Sequence, residues 1–317
     1  MKKNKTNNIV LIIASIVFFL AVAFIAFYLI QQKRAKDLDN ELKELHDSTV
    51  IITQETTETT TAATETETEP TTVTTPEPEP LVIMDSMQTF VDKNPDTAGW
   101  ITVGGTSIDN VVVQTDNNDY YLNRDFYGNL SQPGTVYADF RCVVNDYDFN
   151  QSDNIILYGH NQANGTMFGT LQKYKITKQN TSKFDFYLNH PTFTFSNLYE
   201  EYTYKIIALF VCEVEPEQTR DGIIFDYHNY VRFGSKKWTF EDYMKNLTER
   251  SQIITGVDVQ EGDKFLTLST CSNEFEPSRF VVIGRRVRDG ESPEVDTSLA
   301  MLNPDVKEPD WNYIYSR

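Results

Sequence analysis

A cysteine and an arginine stand at the inner ends of a predicted β-hairpin near the C-terminus. Residues 264–287 (KFLTLSTCSNEFEPSRFVVIGRRV) hold two apolar runs, rich in β-branched and aromatic residues, on either side of a polar loop. Cys271 ends the first run and Arg279 begins the second, so antiparallel pairing would bring a thiol and a guanidinium to one sheet edge. A nearby cation favours the thiolate, and a fixed guanidinium can hydrogen-bond a developing oxyanion. A buried cysteine beside a surface arginine is the simpler alternative, and it stays open here.

His160 is the third candidate for chemistry. It follows the apolar strand NIILYG and precedes the turn-like NQANG, so it too is expected at a strand end. His46, His190 and His228 lie beside a low-complexity segment, before a proline and within the aromatic run DYHNY, respectively. A solvated loop histidine is the alternative interpretation of His160.

Charge and cysteine content exclude several classes of protein. The chain has 317 residues and a formal net charge of −18, which argues against a nucleic-acid partner, since such proteins present a basic face. Of the three cysteines, Cys142 and Cys212 lie in strand-like runs and are expected to be small core or edge residues. No zinc-type cysteine spacing occurs, and no metal or cofactor is expected.

The N-terminal 80 residues are not expected to contribute to a globular core. Residues 9–30 form an uncharged apolar run of about 22 residues, long enough for a helix to cross the ~30 Å hydrocarbon core of a bilayer. We predict an uncleaved, single-pass signal-anchor in the cell membrane, with residues 1–8 cytoplasmic and the body extracellular. Residues 31–80 comprise a charged, helical juxtamembrane segment and a disordered Thr/Glu/Pro-rich stalk, which could hold a domain up to ~100 Å from the bilayer.

The globular part is predicted to begin near Leu81 with a short amphipathic helix. Short strand-like runs separated by Gly, Asn, Asp and Pro then indicate a mainly β barrel or sandwich. Two helices are predicted to interrupt the strands, one over residues 166–174 and one starting at Thr239, which can form a capping box with Asp242. The C-terminal tail, residues 291–317, ends in WNYIYSR and is expected to pack back on the body.

Taken together, TLSTC at residues 267–271, Arg279, and YGHN at residues 158–161 behind a signal-anchor resemble a class B sortase. The resemblance covers residues 81–288, including NPDTAGWI, VVQTDNNDYYL and GTMFGTL. It implies a closed eight-stranded β-barrel with N-terminal helices and a helix before the last hairpin, and a catalytic domain at residues 81–290. It also implies a cysteine transpeptidase of Gram-positive surfaces that cleaves a sorting signal after threonine, with Cys271 as nucleophile, His160 as general acid and base, and Arg279 as oxyanion stabiliser.

By the same resemblance, further residues are expected to bind substrate: Ser269, Asn118, Leu122, Thr270 and Ser272. A solvated residue at a barrel rim is the plainer interpretation of each. Class B enzymes vary at the position after the cysteine, here Ser272, which leaves open how the last position of the motif is recognised. The implied partners are a sorting-signal peptide of a surface protein or pilin and an amine from cell-wall peptide or a pilin lysine. A surface cysteine peptidase and a non-catalytic stalked adhesin or pilus-associated domain remain alternatives.

Overall fold

Eight strands close into a barrel at the centre of the molecule. The computed structural model describes residues 2–60, 79–177 and 180–316. Numbered in chain order, the strands follow one another around the barrel as β1-β2-β3-β4-β8-β9-β6-β5. The strands are β1 (Thr97–Thr102), β2 (Asp109–Val113), β3 (Tyr137–Ala138), β4 (Asn154–Tyr158), β5 (Thr192–Ser196), β6 (Glu201–Glu213), β7 (Ile253–Ile254), β8 (Phe265–Cys271), β9 (Ser278–Arg286) and β10 (Met301–Leu302). β7 and β10 pair with each other outside the barrel. The predicted closed eight-stranded barrel is confirmed.

The helices lie around this barrel: α1 (Lys2–Thr60), α2 (Asp85–Lys93), α3 (Lys183–Asn189), α4 (Phe240–Arg250) and α5 (Trp311–Ile314). α4 is the predicted helix before the last hairpin, and the Thr239 hydroxyl caps it by accepting the Asp242 backbone N–H at 3.0 Å. It covers the outer face of β8, where the rings of Tyr243 and Phe265 lie 5.5 Å apart. Because both faces of β8 are covered, its residues are apolar or buried throughout rather than alternating with polar ones.

The helix predicted over residues 166–174 is only partly correct. The structure has only a short 3-10 helix, Gly169–Lys173. Met167 adopts a positive φ of 52°, which a regular α-helix does not allow, so a helix cannot run through this residue. The predicted apolar face is nevertheless buried, with Phe168, Leu171 and Tyr174 each 0% exposed.

α1 carries the apolar span and then continues into contact with the barrel. Among the described residues it is the one helix long and apolar enough to cross a membrane. Beyond the span, Leu42 is buried in a cluster with Met87 and Phe90, and the His46 ring stacks on Trp100 at 4.0 Å. The charged segment predicted to be helical is therefore helical, and it also packs on the folded body.

This packing bears on the predicted stalk. Residues 61–78 of that segment lie outside the described residues, but the chain on their N-terminal side is already docked on the barrel through Leu42 and His46. The stalk and its reach therefore stay predictions. The predicted start of the globular domain near Leu81 also stays a prediction. In the structure, residues 35–49 of α1 pack on the barrel.

The C-terminal tail folds back, as the sequence predicts. Trp311 of α5 packs edge-on against Phe275, with ring centroids 5.8 Å apart, and the Tyr315 hydroxyl donates to the Glu274 carbonyl at 2.9 Å. Closer to the barrel, Glu291 accepts hydrogen bonds from Arg285, which is only 1% exposed. The tail thus contacts the loop that joins β8 to β9 and pairs a buried charge.

Candidate active site

Strand register brings the three candidate residues to one end of the barrel. β4 runs parallel to β8 with Tyr158 opposite Ser269, so His160 and Cys271 each lie two residues beyond a matched pair. β8 runs antiparallel to β9 with Cys271 directly opposite Arg279. Neighbouring strands lie about 4.8 Å apart. Cys271 is therefore the middle member of a row, with the histidine-bearing loop on one side and Arg279 on the other.

The thiol and the guanidinium are in contact. Nη1 of Arg279 lies 3.7 Å from Sγ of Cys271 and also donates to the Ser278 carbonyl at 3.1 Å, which fixes its direction. Cys271 is partly exposed, whereas Cys142 and Cys212 are buried. Burial raises the pKa of both buried thiols to about 12. Among the three thiols, only Cys271 combines access to solvent with a cation in contact.

His160 is held at the rim by a backbone carbonyl. Its Nε2 donates to the Leu122 carbonyl at 2.9 Å, which leaves Nδ1 available for a proton. The neighbouring Asn161 side chain donates to the Cys271 carbonyl at 2.9 Å and so ties the histidine loop to the cysteine strand. Among the described residues, no hydrogen bond joins the His160 ring to the Cys271 thiol. Such catalytic contacts often form only with substrate bound.

The loop between Cys271 and Arg279 is fixed by its neighbours. Lys175 donates to the Ser272 carbonyl at 2.7 Å and pairs with Glu274. The Ser272 and Ser278 hydroxyls lie 2.6 Å apart across the base of the loop. These contacts hold the two strand ends in register, so the thiol and the guanidinium keep their relative position.

Three of the predicted substrate residues lie on β8 or directly after it, and their side chains are buried near Cys271. Ser269, Thr270 and Ser272 are 1%, 2% and 1% exposed. The Ser269 hydroxyl is 2.6 Å from the Tyr227 hydroxyl, so it is already paired. All three side chains are buried in this structure, and a direct contact with substrate stays a prediction for each of them.

Asn118 and Leu122 lie in the segment between β2 and β3. Leu122 contacts His160 through its carbonyl, so this loop belongs to the same site. The Asn118 side chain donates to Asp139 at 3.1 Å and accepts the Phe140 N–H at 3.0 Å. Asn118 therefore anchors its loop in this structure, and its predicted role in binding substrate remains untested.

The Asp139 carboxylate is the shared hydrogen-bond acceptor of several side chains beside Asn118. It accepts hydrogen bonds from Arg141 at 2.7 Å and from the Tyr158 hydroxyl at 2.9 Å, in addition to Asn118. Burial alone would raise the pKa of the Asp139 carboxyl, but these hydrogen bonds and the Arg141 charge outweigh burial and lower it. The carboxylate thus stays ionised and ties the Asn118 loop to the end of β4.

Sequence reasoning missed a tyrosine beside the site. Tyr137 on β3 pairs with Tyr158, and its ring lies 5.3 Å from that tyrosine. Burial raises the pKa of Tyr137 to about 12, and the field of Arg279 opposes this shift. Tyr137 therefore keeps its proton and presents a donor near the guanidinium. Tyr137 lies in the strand-like run GTVYADF, but the pairing of β3 with β4 cannot be read from the sequence.

Within the described residues, no group of three or more His, Cys, Asp or Glu side chains is arranged to hold a metal ion.

The sequence and the fold both match known proteins. A family model described as the sortase domain matches residues 102–287. The chain is 31% identical over 207 residues to sortase B of Listeria monocytogenes, covering 65% of this chain and 75% of that protein. The chain belongs to the class B sortases. It is also 29% identical over 198 residues to sortase B of Staphylococcus aureus, covering 62% of this chain and 72% of that one.

Solved class B sortases share the fold. The Staphylococcus aureus sortase B–substrate complex matches with a TM-score of 0.60 at 22% identity, covering 82% of this chain and 99% of that one. Sortase B of Clostridium perfringens matches with a TM-score of 0.52 at 27% identity, covering 63% and 99%. These matches agree with the barrel described above.

Proposed function

We propose that this class B sortase is a cysteine transpeptidase with Cys271 as its nucleophile. The observation that carries the proposal is the row of strand ends in which Cys271, partly exposed and 3.7 Å from the Arg279 guanidinium, lies beside the loop of His160. The thiolate attacks the carbonyl carbon of a peptide bond after threonine. The C–N bond then breaks, and the acyl group remains on sulfur as a thioester.

His160 and Arg279 supply the other two functions. His160 gives a proton to the departing amine and later accepts one from the incoming amine, through the ring nitrogen that does not contact Leu122. Arg279 donates to the carbonyl oxygen as it gains negative charge, and its planar fork fits that task better than a point charge does. An incoming amine attacks the thioester, releases the thiolate and forms a new amide bond.

The substrate we propose is a sorting-signal peptide of a surface protein or pilin, and the acceptor is an amine of cell-wall peptide or a pilin lysine. A sortase B–substrate complex is among the similar structures. Asn118, Leu122 and the buried residues Ser269, Thr270 and Ser272 would shape the groove. The apolar part of α1 would anchor the enzyme in the cell membrane, with the N-terminus cytoplasmic and the barrel outside.

One experiment separates transfer from hydrolysis. A chain of residues 31–317, which lacks the apolar span, is incubated with candidate sorting peptides, with and without an amine acceptor, and products are identified by mass spectrometry. A ligated product supports the transpeptidase. Hydrolysis that an amine does not change indicates a cysteine peptidase, and no thioester or cleavage across a peptide library contradicts both.

Variants test the roles within the site. Cys271→Ala should abolish thioester formation, and His160→Ala should abolish turnover while leaving an alkylatable thiol. Arg279→Lys keeps the charge but loses the fork, and loss of one oxyanion donor typically costs ~3 kcal/mol, about a hundredfold in rate. Near-normal turnover of Arg279→Lys would show that the residue supplies only a positive charge and not hydrogen bonds of fixed direction.

A further inference from the structure

An apolar groove lies between the membrane helix and the barrel. It has a volume of about 370 Å³, and Phe24, Phe27 and Tyr28 of α1 form one wall. The other wall belongs to the loop of residues 123–132, which contributes Leu130 and its neighbours. The groove thus joins residues of the apolar span to residues of the catalytic body.

Leu130 is presented to the outside by a rigid turn. It is 75% exposed, although it is a large apolar side chain. Leu130 forms an isolated bridge with Arg124, and the Arg124 side chain donates to the Gly128 carbonyl at 2.9 Å. Asp125 accepts the backbone N–H groups of Tyr127 and Asn129 at 3.0 and 2.9 Å. The exposure of Leu130 is therefore a property of an ordered turn.

The docking of α1 fixes the depth at which this turn lies. Ala35 and Leu42 are buried against the barrel, and the same helix continues to Phe24. A helix rises 1.5 Å per residue, so Phe24 lies ~9 Å along the helix axis from Ile30, which is the residue at the outer end of the span. If the span crosses a bilayer, groove residues beside Phe24 lie in the outer ~10 Å of the leaflet. Surface-bound helices bury their apolar faces to about this depth.

We propose that the loop of residues 123–132 is a membrane-contact surface that inserts Leu130 among the phospholipids of the outer leaflet. The occupant of the groove is phospholipid, because three of its lining side chains belong to the span itself. Arg124 and Asp125 cancel each other in charge and the whole chain carries −18, so apolar burial rather than attraction to headgroups holds the contact. This inference rests on the proposed membrane anchor.

The contact would place the catalytic rim at the bilayer surface. The loop follows directly after Leu122, whose carbonyl holds the His160 ring. One turn after Tyr28 on α1, Asn164 of the histidine loop donates to Gln32, just beyond the span. His160 is therefore bracketed by two loops that both touch α1 at its exit from the span.

The test places nitroxide labels on the full-length chain in lipid nanodiscs that hold one copy each. The discs contain phosphatidylcholine and phosphatidylglycerol, and Cys271→Ala removes the accessible thiol. Labels are attached at Leu130→Cys, at Leu20→Cys within the span, and at Phe149→Cys. Phe149 is a matched control: it is 68% exposed, and its neighbour Asp148 pairs with Arg286 at the far end of β9. Collision with oxygen reports lipid, and collision with a nickel chelate reports water.

The expected result is that the labels at positions 20 and 130 collide preferentially with oxygen and the label at position 149 with the nickel chelate, at low and high salt alike. An oxygen-rich position 20 with a water-exposed position 130 would overturn this inference and leave the anchor intact. A water-exposed position 20 would overturn the anchor and the inference together. Protection of position 130 only in discs that hold two copies would show a contact between copies, and would also overturn the lipid contact.

Discussion

Leu42 tests whether the helix that follows the apolar span belongs to the folded body. Its side chain is 6% exposed and lies in the cluster formed with Met87, Phe90 and Trp100. Replacing Leu42 with alanine removes this contact without changing the helix itself, because alanine is the best helix former. The variant therefore isolates the packing between α1 and the barrel.

The expected loss follows from burial. Leucine-to-alanine changes in protein cores cost about 2–5 kcal/mol, and the lower half applies where neighbours can close around the gap. Leu42 lies at a contact between one helix and the barrel, so we expect about 2–3 kcal/mol. A domain of this size loses about 2–4 °C in melting temperature per kcal/mol, which gives a shift of roughly 5–10 °C.

The assay uses a soluble chain of residues 31–317, which lacks the apolar span. Urea unfolding gives the free energy, and thermal melts give the temperature shift. Glu44→Ala on the exposed face of the same helix is the matched control, and we expect it to stay within about 0.5 kcal/mol of the parent.

An unchanged Leu42→Ala variant would refute the reasoning. The barrel would then begin near Leu81, as the sequence alone suggests, and a chain starting there would be as stable as the chain starting at residue 31. If the docking is correct, the shorter chain is the less stable one, since it exposes the Trp100 face on which His46 stacks.

Three further changes probe other contacts. Glu291→Gln leaves buried Arg285 without a carboxylate and should cost about 3 kcal/mol at neutral pH. The Arg285 hydrogen bond lowers the pKa of Glu291 below its ordinary value of 4.5, so this stabilisation is full above that value and is lost as pH falls below it. Urea unfolding at several pH values should therefore show the variant converging on the parent in acid, and a constant difference would contradict the pairing. Thr239→Ala removes the N-cap of α4 and should cost about 1 kcal/mol by the same measurement, whereas no change would show that the cap is dispensable. Tyr315→Phe removes the bond to the Glu274 carbonyl and should speed amide hydrogen exchange in residues 272–277, and unchanged exchange would show that the tail does not restrain this loop.

Local sequence signals were enough for the hairpin of the site, whereas the strand pattern left a barrel and a sandwich open and the resemblance to the class B sortases supplied the closed barrel. The runs around Cys271 and Arg279 are strongly β-prone and separated by a loop, and they form β8 and β9 with these two residues paired. The cap at Thr239 marked the start of α4 at the correct residue. Such local signals depend on residues close together in the chain.

The remaining features depend on contacts between distant residues. The rim contact from Leu122 to His160 and the pairing that brings Tyr137 to the site join separate loops and strands. α3 was not predicted from its aromatic run KFDFYLN, and its N-cap residue Ser182 makes no side-chain capping hydrogen bond of the kind that Thr239 makes at α4. The docking of α1 was missed because a segment rich in charges gives only a weak apolar face, while its partner Trp100 lies in a strand.

If α1 anchors the enzyme in a membrane as proposed, its continuity also limits where the enzyme can act. A catalytic domain on a long flexible tether samples every height within its reach, up to ~100 Å for an extended chain of the predicted length. Residues 31–49 of a docked helix rise only ~28 Å. With the proposed anchor in a bilayer, the barrel would move with its own helix, and encounters would become lateral diffusion in a thin layer above the bilayer. The proposed acceptor amine would have to come to that layer, so amines displayed farther from the membrane would go unused even at high concentration.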